Sequence, residues 1–296
     1  MLRPSRGFVM ILLARLLLGL LLTGAVAFIA WRRAALTAGG AAGAVLVGTA
    51  IFGFGGLAWG LLLIAFFVLS TLLSHYREAQ KERLAAEKFE KGAVRDLGQV
   101  LANGGAGALI AAAAYLLYPE PVMLAAFVGA MATVNADTWA TEIGVLSRET
   151  PRLITSLQPV EPGSSGGVTG LGTLATAAGG LAIGVAALIF LALDAPLGAV
   201  SLNALAHPGG DALGWLLPIA LVGGLAGSLF DSLLGATVQA IYTCPVCHKE
   251  TEKRLHTCGT PTERLRGWAW LNNDLVNFSA SLVGALVSAG MWLLAA

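Results

Sequence analysis

Charge is what this 296-residue sequence has least of. Asp, Glu, Lys and Arg make up 12% of it, where soluble domains carry roughly 25%. With 56% hydrophobic residues and a mean hydropathy of +0.77, that deficit excludes a soluble globular enzyme. It also excludes a disordered chain, which must be poor in apolar residues to stay solvated. Cysteine is scarce too. Cys244, Cys247 and Cys258 all lie in one short segment, too few and too local for a disulfide framework. A charge excess of either sign is missing, and a net charge of +1 gives no reason to expect a nucleic-acid partner. Alternating ten-residue segments are missing as well, which argues against a transmembrane β-barrel. What the sequence does have is long unbroken apolar runs and 38 glycines, roughly twice average usage. The fold class this implies is all-α: a polytopic transmembrane helical bundle.

Windows of about 20 apolar residues cross a bilayer. Eight are present: 8–30, 34–51, 56–73, 99–118, 122–143, 170–193, 214–241 and 270–294. The first is too long for a signal peptide and has no small-residue cleavage site before Trp31-Arg32-Arg33. A Pro119-Glu120-Pro121 turn separates the fourth from the fifth. The second and third meet at Phe52-Gly53-Phe54-Gly55. If that junction were one broken span, everything after it would be inverted. Of the 18 Lys and Arg, fifteen fall in the loops after spans one, three, five and seven. Only Arg3 and Arg6 lie on the opposite side, with Arg15 inside span one. The positive-inside rule therefore puts the basic loops in the cytoplasm of a plasma or inner membrane, with both termini outside. The chain reads as one membrane domain, 1–296, with a charged cytoplasmic segment at 75–98 and a Cys/His insertion at 242–267.

Polar residues are rare in membrane helices unless they face a bundle interior or a cavity. Here they form stripes at spacings of three and four, which mark one helical face. Span four carries Arg95, Asp96, Gln99 and Asn103, following Lys91. Span five carries Asn135, Thr138 and Glu142 with Asp137 at the edge. Span seven carries Ser228, Asp231, Ser232, Gly235 and Gln239, and span eight opens with Asn272, Asn273, Asp274 and Asn277. All four stripes fall at the cytoplasmic ends of their helices. A lone Ser or Asn in a span is commonly helix–helix glue, and Ser228, Asn277 and Thr141 read that way singly. Three carboxylates, Asp137, Glu142 and Asp231, are expensive to bury without a cation. A hard divalent ion such as Mg²⁺ suits them, since it takes oxygen ligands and keeps sites for water and phosphate.

The stretch Gly163-Ser164-Ser165-Gly166-Gly167-Val168-Thr169-Gly170 leads into span six. Alone it would read as a flexible linker. Beside acids and the bases Lys91, Arg95, Arg148 and Arg152, it reads as a phosphate cradle backed by a helix N-terminus. The sequence lacks Gly-Lys-Ser/Thr, so this is not a Walker A loop. Cys244-x-x-Cys247 followed by His256-Thr257-Cys258 offers three thiolates and an imidazole, a Cys₃His set suited to structural zinc. His248 could replace His256. Acids for a metal, a glycine loop and bases for phosphates, and a lipid-facing opening together describe phosphoryl transfer, which depends on positioning and charge neutralisation.

Several blocks occur together in order: Lys91-Gly92 with Arg95-Asp96-x-x-Gln99-x-x-x-Asn103; Asn135-Ala136-Asp137-Thr138-Trp139-Ala140-Thr141-Glu142-Ile143-Gly144; Pro162-Gly163-x-x-Gly166-Gly167; Gly227-Ser228-x-x-Asp231-Ser232-x-x-Gly235-Ala236-x-x-Gln239; and Asn272-Asn273-x-x-Val276-Asn277. Over about residues 40–294 this resembles the integral membrane family known as domain of unknown function 92. That family takes in transmembrane protein 19-like proteins and phytyl-phosphate kinases. The resemblance implies an isoprenyl-phosphate kinase making the diphosphate from a nucleoside triphosphate such as CTP, with Mg²⁺. Ser164-Ser165 depart from the family's usual Thr with Asn or Ser. The cysteine loop is missing from many relatives, consistent with a structural role.

The expectation is that Asp137, Glu142 and Asp231 hold Mg²⁺–nucleotide, and that Lys91 and Arg95 neutralise phosphate. The 163–168 loop, with Ser164, Ser165, Gly166 and Gly167, cradles it. Asp96, Gln99, Asn103, Asn135, Thr138, Ser228, Ser232, Gln239, Asn273 and Asn277 orient the substrates. Two rival readings are a secondary transporter, which would place its polar residues nearer the bilayer centre, and a cytidylyltransferase acting on a lipid phosphate. A third is a lipid-binding scaffold without chemistry. Oligomeric state is not legible.

Overall fold

The computed structural model describes residues 6–85, 88, 92, 94–117, 121–194 and 212–295. Eight of its helices are long and apolar enough to span a membrane. They are α1 (Arg6–Arg32), α2 (Ala38–Gly55), α3 (Leu57–His75), α5 (Leu97–Leu117), α6 (Pro121–Gly144), α7 (Gly170–Asp194), α8 (Leu216–Thr237) and α9 (Asn273–Ala295). A short charged helix, α4 (Glu78–Ala85), follows α3. The bundle expected from the apolar runs is the fold, with helix ends displaced by a few residues.

The doubtful junction resolves at Gly56. Its φ of 90° is a conformation that glycine adopts freely, and it reverses the chain. The start of α2 and the end of α3 then lie at the same end of the bundle. Thr37 N–H donates to Arg95 O at 3.0 Å, and Arg95 Nη1 donates to Thr71 Oγ1 at 2.8 Å. Two antiparallel helices, not one broken span, occupy 38–75, so the alternation read from the loops holds through the chain. The basic loops accordingly share one end. Pro121 begins α6, where its missing N–H costs nothing; residues 119 and 120 of the expected turn lie outside the described residues.

Helix α6 is the axis of the bundle. Of its most apolar stretch 72% is buried, against 17% for α1. Trp59 of α3 stacks on Phe127 of α6 with centroids 4.3 Å apart. On another side, Gly129 of α6, Gly223 of α8 and Gly284 of α9 meet almost backbone to backbone. Thr133 Oγ1 donates to Gly129 O at 2.9 Å and to Gly223 O at 3.1 Å, and Ser288 Oγ donates to Ile219 O. Small residues let helices approach this closely where no hydrophobic force acts between them. Other helix glycines are packed as closely: a Cβ on Gly179 would lie 2.9 Å from Ala136 Cα, and one on Gly180 2.8 Å from Ala220 O.

Among the described residues, sheet is confined to the basic end. β1 (Arg152–Leu153) pairs antiparallel with β2 (Gly167–Val168). The Cys/His insertion forms a three-stranded antiparallel sheet in the order β4 (Glu250–Thr251), β3 (Ile241–Thr243), β5 (Glu263–Arg266). It is fastened to both neighbouring helices: Ala240 N–H donates to Leu271 O, and Trp268 N–H to Val238 O, each at 2.9 Å. From the charged segment, Lys88 O accepts Glu252 N–H, also at 2.9 Å.

Candidate functional site

At the basic end, α6, α7 and α8 each present one stripe to a shared chamber of about 160 Å³. Asp137, Ala140, Thr141 and Gly144 come from α6, and Gly172, Thr173 and Thr176 from α7 with Thr169 at its cap. Ser228, Asp231 and Ser232 come from α8. The 163–168 loop closes one side, and Gln239, Glu252 and Asn273 close another. Asp137 and Asp231 sit about two turns in from the ends of their helices, at the inner end of a chamber whose other walls are the loops and helix ends of the basic end.

The glycine loop is an ordered hairpin. Ile154 N–H donates to Gly166 O and Gly167 N–H to Ser164 O, both at 2.9 Å. Gly163 and Gly166 have φ of 79° and 81°. Any Cβ on Gly166 would overlap the Ala236 backbone, and one on Gly235 would come within 2.9 Å of Gly166 N. The loop therefore lies flat on α8 only because both sides are glycine. Arg266 pins it, donating to Gly235 O at 2.6 Å and to Ser165 O at 3.4 Å.

Asp137 Oδ1 accepts from Ser228 Oγ at 3.2 Å. Asp231 Oδ2 is buried with no hydrogen-bond partner, while the charges of Asp137 and Glu252 both bear on it. Glu252 Oε1 accepts from Ser165 Oγ and Gln239 Nε2, each at 2.8 Å. Among the described lining residues there are three carboxylates and no Lys or Arg. An orphaned buried carboxylate oxygen among like charges is costly, and a proton or a bound cation removes that cost.

The structure divides the expected site. Asp137, Asp231, Gly163, Ser164, Ser165, Gly166, Gly167, Ser228, Ser232, Gln239 and Asn273 line the chamber together. Glu142 does not. It pairs with Lys81 of α4 and accepts from Ser74 Oγ at 2.6 Å, while Lys81 also donates to Leu73 O and Ser74 O. The third carboxylate of the chamber is instead Glu252, which follows β4. Nothing in the sequence marked Glu252, since it stands in the cysteine loop more than a hundred residues after Asp137. The α7 stripe was also missed, because Gly and Thr are ordinary in membrane helices.

The remaining expectations resolve into structure. Arg95 is 8% exposed and lies over the Phe67 ring besides its bond to Thr71. Asp96 and Gln99 form a reciprocal capping box at the start of α5: Gln99 N–H donates to Asp96 Oδ1 at 2.9 Å and Asp96 N–H to Gln99 Oε1 at 3.1 Å. Arg95, Gln99 and Asn103 border a separate apolar cavity among α1, α2, α3 and α5. Asn135 is fully buried and bridges Ser70 of α3 to Gly179 O of α7. Thr138 Oγ1 donates to Val134 O in its own helix, and Asn277, half-buried on α9, is not among the residues that line the chamber. Lys91 lies outside the described residues. The start of α7 was expected to attract an anion. Its first N–H groups are already engaged, Gly170 by Glu149 at 3.2 Å and Gly172 by the Thr169 hydroxyl at 2.9 Å.

The Lys81–Glu142 pair gives a direct test. Their side chains are 10% and 21% exposed, and breaking a buried pair leaves a stranded charge. Lys81→Met is expected to destabilise the detergent-solubilised protein by about 3 kcal/mol. Adding Glu142→Gln should recover most of the loss, as read by thermal unfolding. A double variant no more stable than the single one would break this assignment.

Beside the chamber, Cys244, Cys247, His256 and Cys258 bring their ligand atoms within 4.8 Å of one another. Cys244 and Cys258 sulfurs are 3.7 Å apart, close to the edge of about 3.8 Å of a tetrahedron with Zn–S bonds. Cys247 N–H turns back to Cys244 Sγ at 3.4 Å. His256, not His248, completes the set. It is 3% exposed, its Nδ1 lies 3.1 Å from Cys258 Sγ, and its Nε2 is buried without a partner. The Thr260 hydroxyl and the His256 ring lower the Cys258 thiol to about 6, and hydrogen bonding to Cys258 pushes Cys247 up to about 11. One thiolate forms readily here and the next resists, until a cation sits between them.

Fold and site together define a polytopic membrane protein whose helices enclose an acid-lined chamber at one end, braced by a Cys/His sheet. The chain belongs to the family described as integral membrane protein DUF92, whose profile matches residues 21–285. It is similar to Protein PGR of Arabidopsis thaliana, 33% identical over 288 residues, covering 93% of this chain and 95% of that protein. It is similar also to an uncharacterized membrane protein of Methanocaldococcus jannaschii, 28% identical over 275 residues and 93% of each chain. A third relative is Protein VTE6, chloroplastic, of Arabidopsis thaliana, 27% identical across 86% of this chain and 64% of that protein. No solved structure matches.

Proposed function

We propose that the protein is a kinase of membrane lipid metabolism, transferring the terminal phosphate of a nucleoside triphosphate to an isoprenyl monophosphate. Phytyl and geranylgeranyl phosphate are the acceptors the family resemblance implies, and CTP the donor. The observation that carries this reading is the chamber: Asp137, Asp231 and Glu252 face a glycine loop, with an orphaned carboxylate oxygen and no described basic residue in the lining. Asp137 and Asp231 would hold Mg²⁺, which supplies charge neutralisation for the phosphates. The loop's Ser164 and Ser165 orient them. The acceptor's phosphate oxyanion attacks the terminal phosphorus, forming the new P–O bond as the bond to the departing nucleoside diphosphate breaks. No proton has to move, so no general base is needed. With Arg95 tied to Thr71 and Phe67, the basic role would pass to the other bases named from the sequence, Lys91, Arg148 and Arg152. The fifteen basic loop residues support a chamber that faces the cytoplasm, and walls built largely from the loops and helix ends of that side favour an enzyme over a carrier.

Purified protein offered CTP, UTP, ATP and GTP separately should form isoprenyl diphosphate, identified by mass spectrometry. A CDP-lipid product would instead identify a cytidylyltransferase. No product with any donor would end the kinase reading.

The Cys/His cluster would hold one structural zinc, since four ligands leave no open position. Strong chelation is expected to remove one zinc per chain and to cut transfer at least about tenfold, because Glu252 follows β4 of the sheet the metal ties together. Elemental analysis beside the assay checks both; full activity in demonstrably zinc-free protein would refute the coupling.

A further inference from the structure

A second cavity, about 240 Å³, adjoins the chamber on its water side. Glu252 and Asn273 belong to the walls of both, so the two spaces share a partition of two side chains. The rest of the second cavity is built by Tyr242, Arg254, Asn272 and the small residues Ala240 and Ala269. None of these lies in a membrane-spanning helix.

Resting on the kinase reading above, we infer that this cleft takes the nucleoside of the donor, so that the Cys/His sheet is a nucleotide-selectivity element as well as a brace. The Arg254 guanidinium lies 5.9 Å from the Tyr242 ring centroid and donates to Ala269 O at 3.2 Å. That hydrogen bond and the aromatic contact hold a flat cation in the wall, a surface on which a flat heterocycle stacks. Asn272 Oδ1 is already engaged, accepting Leu275 N–H at 3.1 Å as the cap of α9. What it can offer a ligand is therefore its amide N–H₂, which suits a carbonyl or ring-nitrogen acceptor on a base edge. Ala240 and Ala269 leave the space between these groups open. The arrangement separates two tasks. Phosphates and cation belong to the acid chamber inside the helices, the polar nucleoside to the sheet outside them, and the lipid acceptor can approach from the bilayer.

The test is equilibrium dialysis of the full-length protein with radiolabelled CTP, the same measurement with ATP, and inorganic tripolyphosphate as the nucleoside-free probe. Asn272→Asp keeps an acceptor for Leu275 N–H while removing the amide donor, and Ala269→Leu fills the cleft. Each variant is expected to weaken nucleotide binding about tenfold and leave tripolyphosphate binding unchanged. Asn272→Asp should also alter the ranking of the two bases. Nucleotide and tripolyphosphate weakening alike, or neither changing, would overturn the inference. Binding requires no turnover, so the two readings fail separately. A protein whose nucleotide binding depends on Asn272 but that makes no diphosphate keeps the cleft and loses the kinase. One that makes diphosphate with nucleotide binding untouched in both variants keeps the kinase and loses the cleft.

Discussion

Asp231→Asn should lower phosphate transfer by about 10³-fold, the scale set by removing one preorganised electrostatic group from a water-excluded site. The substitution keeps the side chain's shape and removes only its charge. Asp231 Oδ2 is buried without a hydrogen-bond partner, beside the charges of Asp137 and Glu252. A charged carboxylate so placed weakens the fold, and on the kinase reading the Mg²⁺ it would hold offsets that cost. The variant should therefore unfold at the same temperature as the parent or a few degrees higher, the trade between stability and activity common at functional sites. Glu142→Gln is the counterpart. Its partner is Lys81, so it should cost stability while the protein that remains folded keeps its transfer rate within a few-fold. Rates per folded molecule and melting curves of both variants decide the matter. An active Asp231→Asn would remove Asp231 from the proposed catalytic centre, and an inactive but folded Glu142→Gln would return Glu142 to it.

The largest expected effect on folding comes from Gly284→Leu. A Cβ at this position would fall inside the Thr133 hydroxyl, 2.9 Å from Gly223 O and 3.1 Å from Gly129 O. Two of those three atoms are backbone and cannot rotate away. Overpacking ordinarily costs about 1–3 kcal/mol, and here a whole isobutyl group must be placed where α6, α8 and α9 touch. A loss of about 3 kcal/mol or more, against a total stability of roughly 5–15 kcal/mol, should leave little monodisperse protein on gel filtration. Gly290 lies on the same helix, and a Cβ there meets nothing within 4 Å. Gly290→Ala should therefore behave as the parent does. Equal behaviour of the two variants would mean that this three-helix contact does not hold the bundle together.

Apolar run length and loop charge were enough to read the eight spans, their alternation and the basic end, because the bilayer imposes both on any sequence that crosses it. The Cys/His quartet was legible from ligand spacing, and the meeting of Asp137 with Asp231 from polar stripes at the cytoplasmic ends of their helices. What sequence alone did not settle was which carboxylate joins them. A helix turns 100° per residue, so Glu142 stands about 140° around α6 from Asp137. Glu142 faces α3 and α4, and Asn135 on the same stripe bridges α3 and α7, while Asp137, Thr141 and Gly144 line the chamber with α7 and α8. Periodicity reports that a face exists, not which neighbour it meets. Glu252 reaches the chamber from just beyond β4, its own N–H on Lys88 O, in an insertion fastened to the helices by Ala240–Leu271 and Trp268–Val238 hydrogen bonds. Only long-range packing sets that approach, so tertiary structure alone exchanged one glutamate for the other.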